Sequence, residues 1–262
     1  MKKQGIVRIG ISGWTYAPWR GVFYPEGLPQ RSELSFAAGK FASIEINGTF
    51  YGSQKPSSFQ RWRDETPDDF VFALKGPRYI THVKRLRDVG ESLDYFMNTG
   101  LRELGPKLGP ILWQFPPSLK FDAARFGAFF DILPKDLRHA VEIRHDSFRA
   151  PDFIELLRKY AIALVCADTV EWPRLMDLTA DFVYCRLHGS EQLYVSGYDD
   201  KALDRWAERI RAWAAGGEPA DAERTLPPLP PGKGRDVYVY FDNDVKVRAP
   251  IDAQALARRV EA

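Results

Sequence analysis

Short apolar runs recur along the 262-residue chain, each rich in β-branched or aromatic residues and bounded by turn residues. Eight runs are long enough for one strand, and they span residues 7–12, 42–47, 69–75, 110–115, 138–144, 161–168, 181–188 and 236–242. Segments with helical spacing lie between or after them, at 31–40, 56–65, 84–104, 122–133, 151–160, 199–215 and 251–261. This alternation predicts one domain, a single (β/α)8 TIM-type barrel.

The sixth unit is the weakest part of this prediction. Its connecting segment, EWPRLMDL, is barely long enough for a helix, so a doubly wound open sheet is the alternative fold. Residues 216–235, which include the proline-rich stretch 226–234, match no unit. We interpret 216–235 as a surface loop within the barrel domain, because connecting loops are far commoner than polyproline ligands in such folds.

The polar residues of the predicted strands share one alternating phase. Successive strand residues face opposite sides, and in a barrel one side is the interior. Ile44 and Ile46 suit the helix layer, which turns Glu45 and Asn47 inward. The same rule turns the following residues inward: Ser12, Lys75, Gln114, Glu142, Arg144, Asp168, Tyr184, Arg186, His188, Asp242 and Asp244. Nearly all stand at strand carboxyl ends, where barrel enzymes build their active sites.

Position along a strand also predicts depth. Glu45, Glu142 and Arg186 should lie below Asn47, Arg144 and His188, because the later residue is nearer the mouth. We expect Glu45 and Arg186 to form the pocket floor or a structural ion network, since buried charges must be paired.

Composition adds limits on the class of function. The net charge of +2 gives no general reason to expect nucleic acid or a membrane as partner. Neither a signal peptide nor a membrane span is apparent, which predicts a cytoplasmic protein. The two cysteines, Cys166 and Cys185, lie in apolar runs without metal-binding spacing, and no nucleotide-binding or serine-hydrolase motif is present.

The strand-end segments ISGWTY, SIEINGTFY, FVFALKGP, ILWQFPPSL, AVEIRHDSF, CADT, RLHGS and YVYFDNDVK resemble, in this order, the domain of unknown function 72 family, also called YecE-like. The resemblance covers nearly the whole chain and implies a TIM-type barrel without an established activity. It maps the family's recurring positions onto Glu45, Asn47, Phe50, Tyr51, Lys75, Gln114, Pro116, Glu142, Arg144, His145, Asp168, Arg186, His188, Gly189 and Asn243. Many relatives have asparagine where this chain has Asp242, so the resemblance assigns no carboxylate role there.

Together these residues favour an enzyme that acts on a small polar or phosphorylated molecule. Glu142 or Asp168 would be the general acid or base, with His188 assisting. Lys75 and Arg144 would bind an anionic group. The further substrate-binding candidates are Asn47, Tyr51, Gln114 and Asn243. Hydrolysis, isomerisation and elimination are all compatible with this set.

Three alternatives stay open. A metal-assisted hydrolase or isomerase would use Glu142, Asp168, His188 and Asp242, which stand on consecutive strands. We expect no cofactor, because the interleaved arginines compete for those carboxylates, but a divalent metal is the alternative. A glycosidase would need two carboxylates at a suitable separation. A non-catalytic barrel would bind nucleic acid or a protein through its basic loops and aromatic residues. The oligomeric state is not indicated by the sequence.

Overall fold

Eight parallel strands close into one barrel in the order β1 to β8. The computed structural model describes residues 3–189, 193–194, 196–244 and 247–261. The strands are β1 Val7–Ser12, β2 Ser43–Ile46, β3 Val71–Lys75, β4 Leu108–Gln114, β5 His139–Glu142, β6 Ala163–Asp168, β7 Phe182–Leu187 and β8 Asp236–Phe241. β8 pairs with β1 from Val237 opposite Val7 to Phe241 opposite Ile11. This closure confirms the predicted TIM-type barrel and excludes the open sheet.

Helices cover the outside of the barrel. They are α1 Glu33–Ala38, α2 Gly48–Tyr51, α3 Pro56–Asp64, α4 Gly90–Met97, α5 Ala123–Ile132, α6 Pro151–Tyr160, α7 Asp200–Ala214 and α8 Arg248–Glu261. Shorter helical turns lie at Ala17–Trp19, Gln30–Ser32, Tyr79–Val83, Leu101–Lys107 and Asp146–Phe148. Asp122 and Asp199 begin α5 and α7 as N-caps, since each side chain accepts a hydrogen bond from a backbone N–H three residues on. Within the described ranges, no helix is both long and apolar enough to cross a membrane.

The barrel interior has an apolar layer beneath a charged one. We call the apolar layer the barrel floor; it consists of Val71, Ala73, Leu112, Ala140, Ala163, Val165, Ala167, Phe182, Tyr184, Tyr238 and Tyr240. The charged layer lies one step closer to the strand carboxyl ends and contains Ser12, Glu45, Glu142, Arg186 and Asp242, all buried. The floor keeps water from reaching these charges from below, so their partners must be protein side chains.

The sixth unit differs from strict alternation, because residues 169–181 connect β6 to β7 without a helix. Part of the proline-rich segment 216–235 covers the exposed side instead. Leu226 and Leu229 pack against the outer core, and the carboxylate of Asp177 accepts hydrogen bonds from the backbone N–H groups of Thr225 and Leu226 at 2.9 Å each. The surface loop therefore replaces the missing helix in shielding this side of the barrel.

Candidate functional site

Arg186 is the centre of the charged layer. Its guanidinium is 2% exposed and contacts three carboxylates. Nη1 donates to Oε2 of Glu142 at 2.6 Å, and Nη2 lies 3.0 Å from Oε1 of Glu45 and 2.8 Å from Oδ2 of Asp242. Burial alone would lower the pKa of Arg186, but the three carboxylates outweigh it and hold that pKa well above its usual value. Arg186 therefore stays charged and holds the three carboxylates together.

Glu45 has no free acceptor capacity. Ser12 Oγ and Tyr184 Oη each donate to one of its oxygens at 2.5 Å, and Arg186 donates to both. This saturation matches the expectation that Glu45 and Arg186 form a buried ion network below the mouth. A carboxylate so completely occupied stabilises the barrel centre and has no lone pair left for a substrate.

Glu142 is held by three side chains, although among the described residues Oε2 accepts from Arg186 alone. Oε1 accepts from Gln114 Nε2 at 3.0 Å and from Arg144 Nε at 2.7 Å, and Oε2 accepts from Arg186. Burial favours its neutral form, yet Arg144 and Arg186 outweigh burial and hold the pKa of Glu142 well below its usual value. Because it stays ionised, Glu142 is suited to orienting Arg144, and it is a poor general acid.

His188 and Asp242 form a dyad on neighbouring strands. The imidazole is fully buried, and its Nδ1 lies 2.6 Å from Oδ1 of Asp242. Among the described residues Nε2 has no hydrogen-bond partner, and the contact between Nδ1 and Asp242 is an ion-pair distance and not an aligned hydrogen bond. Arg186, together with the neighbouring His188, overcomes burial and lowers the pKa of Asp242. A carboxylate that fixes one imidazole nitrogen leaves the other available to accept or donate a proton.

Lys75 stands at the end of β3, opposite β7 in the closed barrel. Its side chain is 7% exposed, and Nζ lies 4.3 Å from the ring centroid of Phe50. Burial, reinforced by Arg186, lowers the pKa of Lys75 to about 8. Burial next to Lys75 and Arg144 also lowers the pKa of His82 to about 4. This side of the mouth is consequently electropositive.

The opposite side of the mouth is electronegative. Asp244 follows β8, and burial together with the charge of Asp242 raises its pKa to about 7. Burial and the same two carboxylates also raise the pKa of Tyr16, whose hydroxyl donates to the Ser12 carbonyl at 2.6 Å. The mouth thus has a cationic edge at β3 and β5 and an acidic edge at β8 and β1.

Several buried polar atoms at the mouth have no hydrogen-bond partner in the described part of the chain. Besides Nε2 of His188, they include Oδ1 of Asn47 and Oδ1 of Asp244. The amide nitrogen of Asn47 donates to Ser12 Oγ at 2.9 Å, so this side chain is oriented by the charged layer. Unpaired buried polar groups are costly, and such groups at a strand carboxyl end are available to a ligand or to water.

Asp168 does not join this cluster, so its predicted inward orientation is wrong. Its Oδ1 accepts from Arg174 at 3.0 Å, and its Oδ2 accepts from Nε1 of Trp206 in α7 at 3.1 Å. The barrel floor contains Ala163, Val165 and Ala167 from β6, which places the other phase of that strand against the helices. Asp168 instead anchors the β6–β7 connection to α7.

Asn243 and Tyr51 also lie away from the charged layer. Asn243 is buried on the helix side, where Nδ2 donates to the carbonyl of Ser196 and to Oδ2 of Asp252 in α8. Tyr51 is 75% exposed and lines a cavity of about 420 Å³ between the loops that follow β2 and β3. Phe50 lines the same cavity and contacts Lys75. Tyr51 is therefore placed beside the mouth and not over it.

Two aromatic residues that the strand pattern did not indicate cover Arg144. The guanidinium carbon of Arg144 lies 3.9 Å from the ring centroid of Trp172, and Nη2 donates to Tyr194 Oη at 3.3 Å. Both rings also pack edge-on against His188, at centroid distances of 6.0 and 5.5 Å. Tyr194 has a φ of 62°, a left-handed conformation that a tyrosine rarely adopts. Trp172 lies in the connection that follows β6. This position after a strand carboxyl end was the one signal in the sequence that Trp172 belongs to the site.

Across the described residues, no group of three or more His, Cys, Asp or Glu side chains is arranged to hold a metal ion. The carboxylates of the charged layer instead pair with Arg144 and Arg186. The metal-assisted alternative therefore has no assembled ligand set in that part of the chain.

Comparison with known proteins gives consistent relationships. Over 146 residues the chain is 31% identical to UPF0759 protein YecE of Escherichia coli K12, covering 55% of this chain and 51% of the relative. It is 26% identical over 157 residues to UPF0759 protein YunF of Bacillus subtilis strain 168, covering 57% and 55%. The matches thus span about half the length of these curated relatives.

Solved structures match over almost the entire chain. A DUF72 family protein from Thermotoga maritima MSB8 superposes with a TM-score of 0.79 and 27% identity, covering 98% of this chain and all of that one. A DUF72 family protein from Enterococcus faecalis V583 has a TM-score of 0.76, covers 98% and 96%, and at 18% identity supports the fold alone. The family model described as protein of unknown function DUF72 matches residues 8–262. The chain belongs to the DUF72 family, which confirms the resemblance of its strand-end segments.

Proposed function

We propose that this protein is an enzyme that acts on a small anionic molecule by acid–base chemistry at the barrel mouth. His188 is the proton-transferring group, Asp242 orients it, and Arg144 with Lys75 binds the anionic part of the substrate. The observation that carries the proposal is Nε2 of His188, which is buried and has no hydrogen-bond partner among the described residues, while the other ring nitrogen lies 2.6 Å from Asp242.

The roles differ from those expected from the sequence in one respect. Glu142 is fully buried, and Arg144 and Arg186 hold its pKa well below the usual value. Asp168 faces the helices. Neither carboxylate is therefore suited to donate a proton to a ligand in the mouth. We therefore assign the role of proton-transferring group to His188 and not to these two carboxylates. Asp244, whose pKa is raised to about 7 by burial and by Asp242, is a second group that can exchange a proton near neutral pH.

The separation of charge across the mouth supports an anionic and polar substrate. Lys75 and Arg144 approach from β3 and β5, while His188, Asp242 and Asp244 approach from β7 and β8. A bound molecule with its anionic group at the cationic edge would present its remaining atoms to His188. Glu142, Tyr194 and Trp172 hold Arg144 through Nε, Nη2 and one face of the guanidinium. Nη1 has no partner among the described residues, and it is the nitrogen available to an oxyanion.

Calorimetric titration with inorganic phosphate tests the anion site. We expect phosphate to bind the parent protein, and Arg144→Ala to weaken binding by roughly 1.5–3 kcal/mol, the worth of a hydrogen bond to a charged group. Arg149→Ala is the matched control, because Arg149 lies on the surface of the same β5–α6 connection and pairs with Glu223. No phosphate binding by the parent protein, or equal effects of the two substitutions, would refute the ligand class.

Acid–base chemistry needs a separate test. The protein is incubated in D₂O with a mixture of small phosphorylated metabolites, and the products are followed by mass spectrometry. We expect deuterium incorporation or conversion of one component, and its loss in His188→Gln with phosphate binding retained. Undiminished turnover in His188→Gln would assign proton transfer to another group.

A further inference from the structure

Two buried lysines of this protein have opposite environments. Lys107 is 6% exposed, and its Nζ donates to the carbonyls of Arg63 and Thr66 at 2.6 and 2.7 Å. Lys75 is 7% exposed, but its Nζ contacts the face of Phe50, and no described residue provides a hydrogen-bond acceptor for it. Lys107 therefore has the hydrogen-bond acceptors expected of a structural lysine. Lys75 lacks such acceptors among the described residues, as expected of a reactive lysine.

The surroundings of Lys75 favour a neutral amine. Its burial removes water from the ammonium group, and the guanidinium groups of Arg186 and Arg144 oppose a further positive charge. Glu45 and Glu142 are the nearby carboxylates that would favour the charged form, but both are already engaged by arginine. At pH 7.5 a pKa of about 8 leaves roughly a quarter of the amine neutral, against roughly one part in a thousand for an ordinary lysine.

The neutral fraction of an amine that has no hydrogen-bond partner among the described residues is a good nucleophile, while the charged fraction still contributes to the cationic edge. Lys75 is at the carboxyl end of β3, inside the mouth and across the barrel from His188. A substrate bound between the two edges would therefore have one atom near Nζ and another near the imidazole.

We propose that Lys75 is a catalytic nucleophile that forms an imine with the carbonyl carbon of a small anionic aldehyde or ketone. The neutral Nζ attacks the carbonyl carbon, a C–N bond forms, and the carbonyl oxygen leaves as water with the two hydrogens that Nζ gives up. No oxidant or reductant takes part. This inference adds that the substrate has a carbonyl group. That the substrate is anionic rests on the proposed function, in which Arg144 binds the anionic group.

Reductive trapping on the intact protein tests this inference. The parent protein is treated briefly at pH 7.5 with sodium cyanoborohydride and either glyoxylate, an anionic aldehyde, or formaldehyde, a neutral one. Peptide mass spectrometry then measures the rate of labelling at every lysine. We expect Lys75 to be labelled by glyoxylate about tenfold or more faster than exposed Lys159 and Lys201, and Lys107 to remain unlabelled.

The two probes separate this inference from the proposed function. Selective labelling of Lys75 by both probes, with a preference for glyoxylate that falls in Arg144→Gln, supports both. Selective labelling by formaldehyde without a preference for glyoxylate retains the nucleophile and refutes the anion site. Phosphate binding by the parent protein with Lys75 labelled no faster than Lys159 refutes the nucleophile and leaves the anion site standing.

Discussion

The guanidinium carbon of Arg144 lies 3.9 Å from the ring centroid of Trp172. Arg144 follows β5, whereas Trp172 belongs to the connection between β6 and β7 that has no helix. A flexible arginine at a barrel mouth is thus held flat by a tryptophan from a different unit. A cation over an aromatic face contributes on the order of 1 kcal/mol at partly exposed sites.

Trp172 should therefore report on anion binding. We expect phosphate to change the tryptophan fluorescence of the parent protein, because an oxyanion bound to Arg144 alters the electrostatic field at the stacked indole. Trp172→Phe should abolish most of this signal. The control is Trp14→Phe, since Trp14 packs against Trp62 away from Arg144. A signal that survives in Trp172→Phe and disappears in Trp14→Phe would locate the anion elsewhere.

Arg186 and Arg144 should differ in their effect on folding. Arg186→Ala would leave Glu45, Glu142 and Asp242 buried without their common cation, and loss of a buried pair of this kind costs about 3–5 kcal/mol. Arg144→Ala removes one of two arginines from Glu142 and should cost roughly 1–2 kcal/mol. Urea denaturation of the two variants measures the difference. Equal losses would mean that Arg144 is as structural as Arg186.

The barrel was predictable because strand and helix periodicity repeats eight times, and the depth of Glu45 and Arg186 followed from strand position. The sequence indicated that the sixth unit is weak, but it did not predict that the helix is replaced by an extended segment. Residues 169–181 contain apolar residues such as Leu175, Met176 and Leu178, which are buried in an extended segment. Burial there depends on the proline-rich loop from a distant part of the chain, a tertiary effect that no local pattern encodes.

The orientation of a side chain at the site was predictable where its strand has one polar and one apolar face. β5 and β7 have that contrast, and the structure places Glu142, Arg186 and His188 inside. β6 is apolar on both faces, so its phase was undetermined, and Asp168 was assigned to the wrong side. Trp172 and Tyr194 were missed because both belong to loops, where side-chain direction has no period.

Asp177 should hold the proline-rich loop against the barrel. It accepts backbone hydrogen bonds from Thr225 and Leu226, so Asp177→Ala should destabilise the fold by about 1–3 kcal/mol. It should also accelerate tryptic cleavage after Arg224. Asp221→Ala is the control in the same loop, because Asp221 is exposed and its ion pair in the described part of the chain is with Arg209. Cleavage at Arg224 that does not change in Asp177→Ala would show that the loop is held by other contacts.

The lowered pKa of Lys75 gives a stability prediction with a defined pH window. Folding costs free energy while the buried amine is charged, and a shift from 10.5 to about 8 corresponds to roughly 3 kcal/mol. Below pH 8 the amine is charged in both the folded and the unfolded states, so the whole cost applies. Between pH 8 and 10.5 the folded protein has lost the proton and the unfolded chain has kept it, so stability rises with pH.

Lys75→Met removes the charge and keeps the length of the side chain. We expect this variant to exceed the parent protein in free energy of unfolding by roughly 3 kcal/mol at pH 7, with the difference shrinking as pH rises from 8 to 10.5. Lys107→Met should instead destabilise the protein at every pH in this range, because it removes the lysine donor from the carbonyls of Arg63 and Thr66. Urea denaturation at half-unit pH steps measures both variants. A Lys75→Met protein that is less stable than the parent at pH 7 would mean that the amine has an acceptor in the folded state. The proposal that Lys75 is a neutral nucleophile would then be refuted.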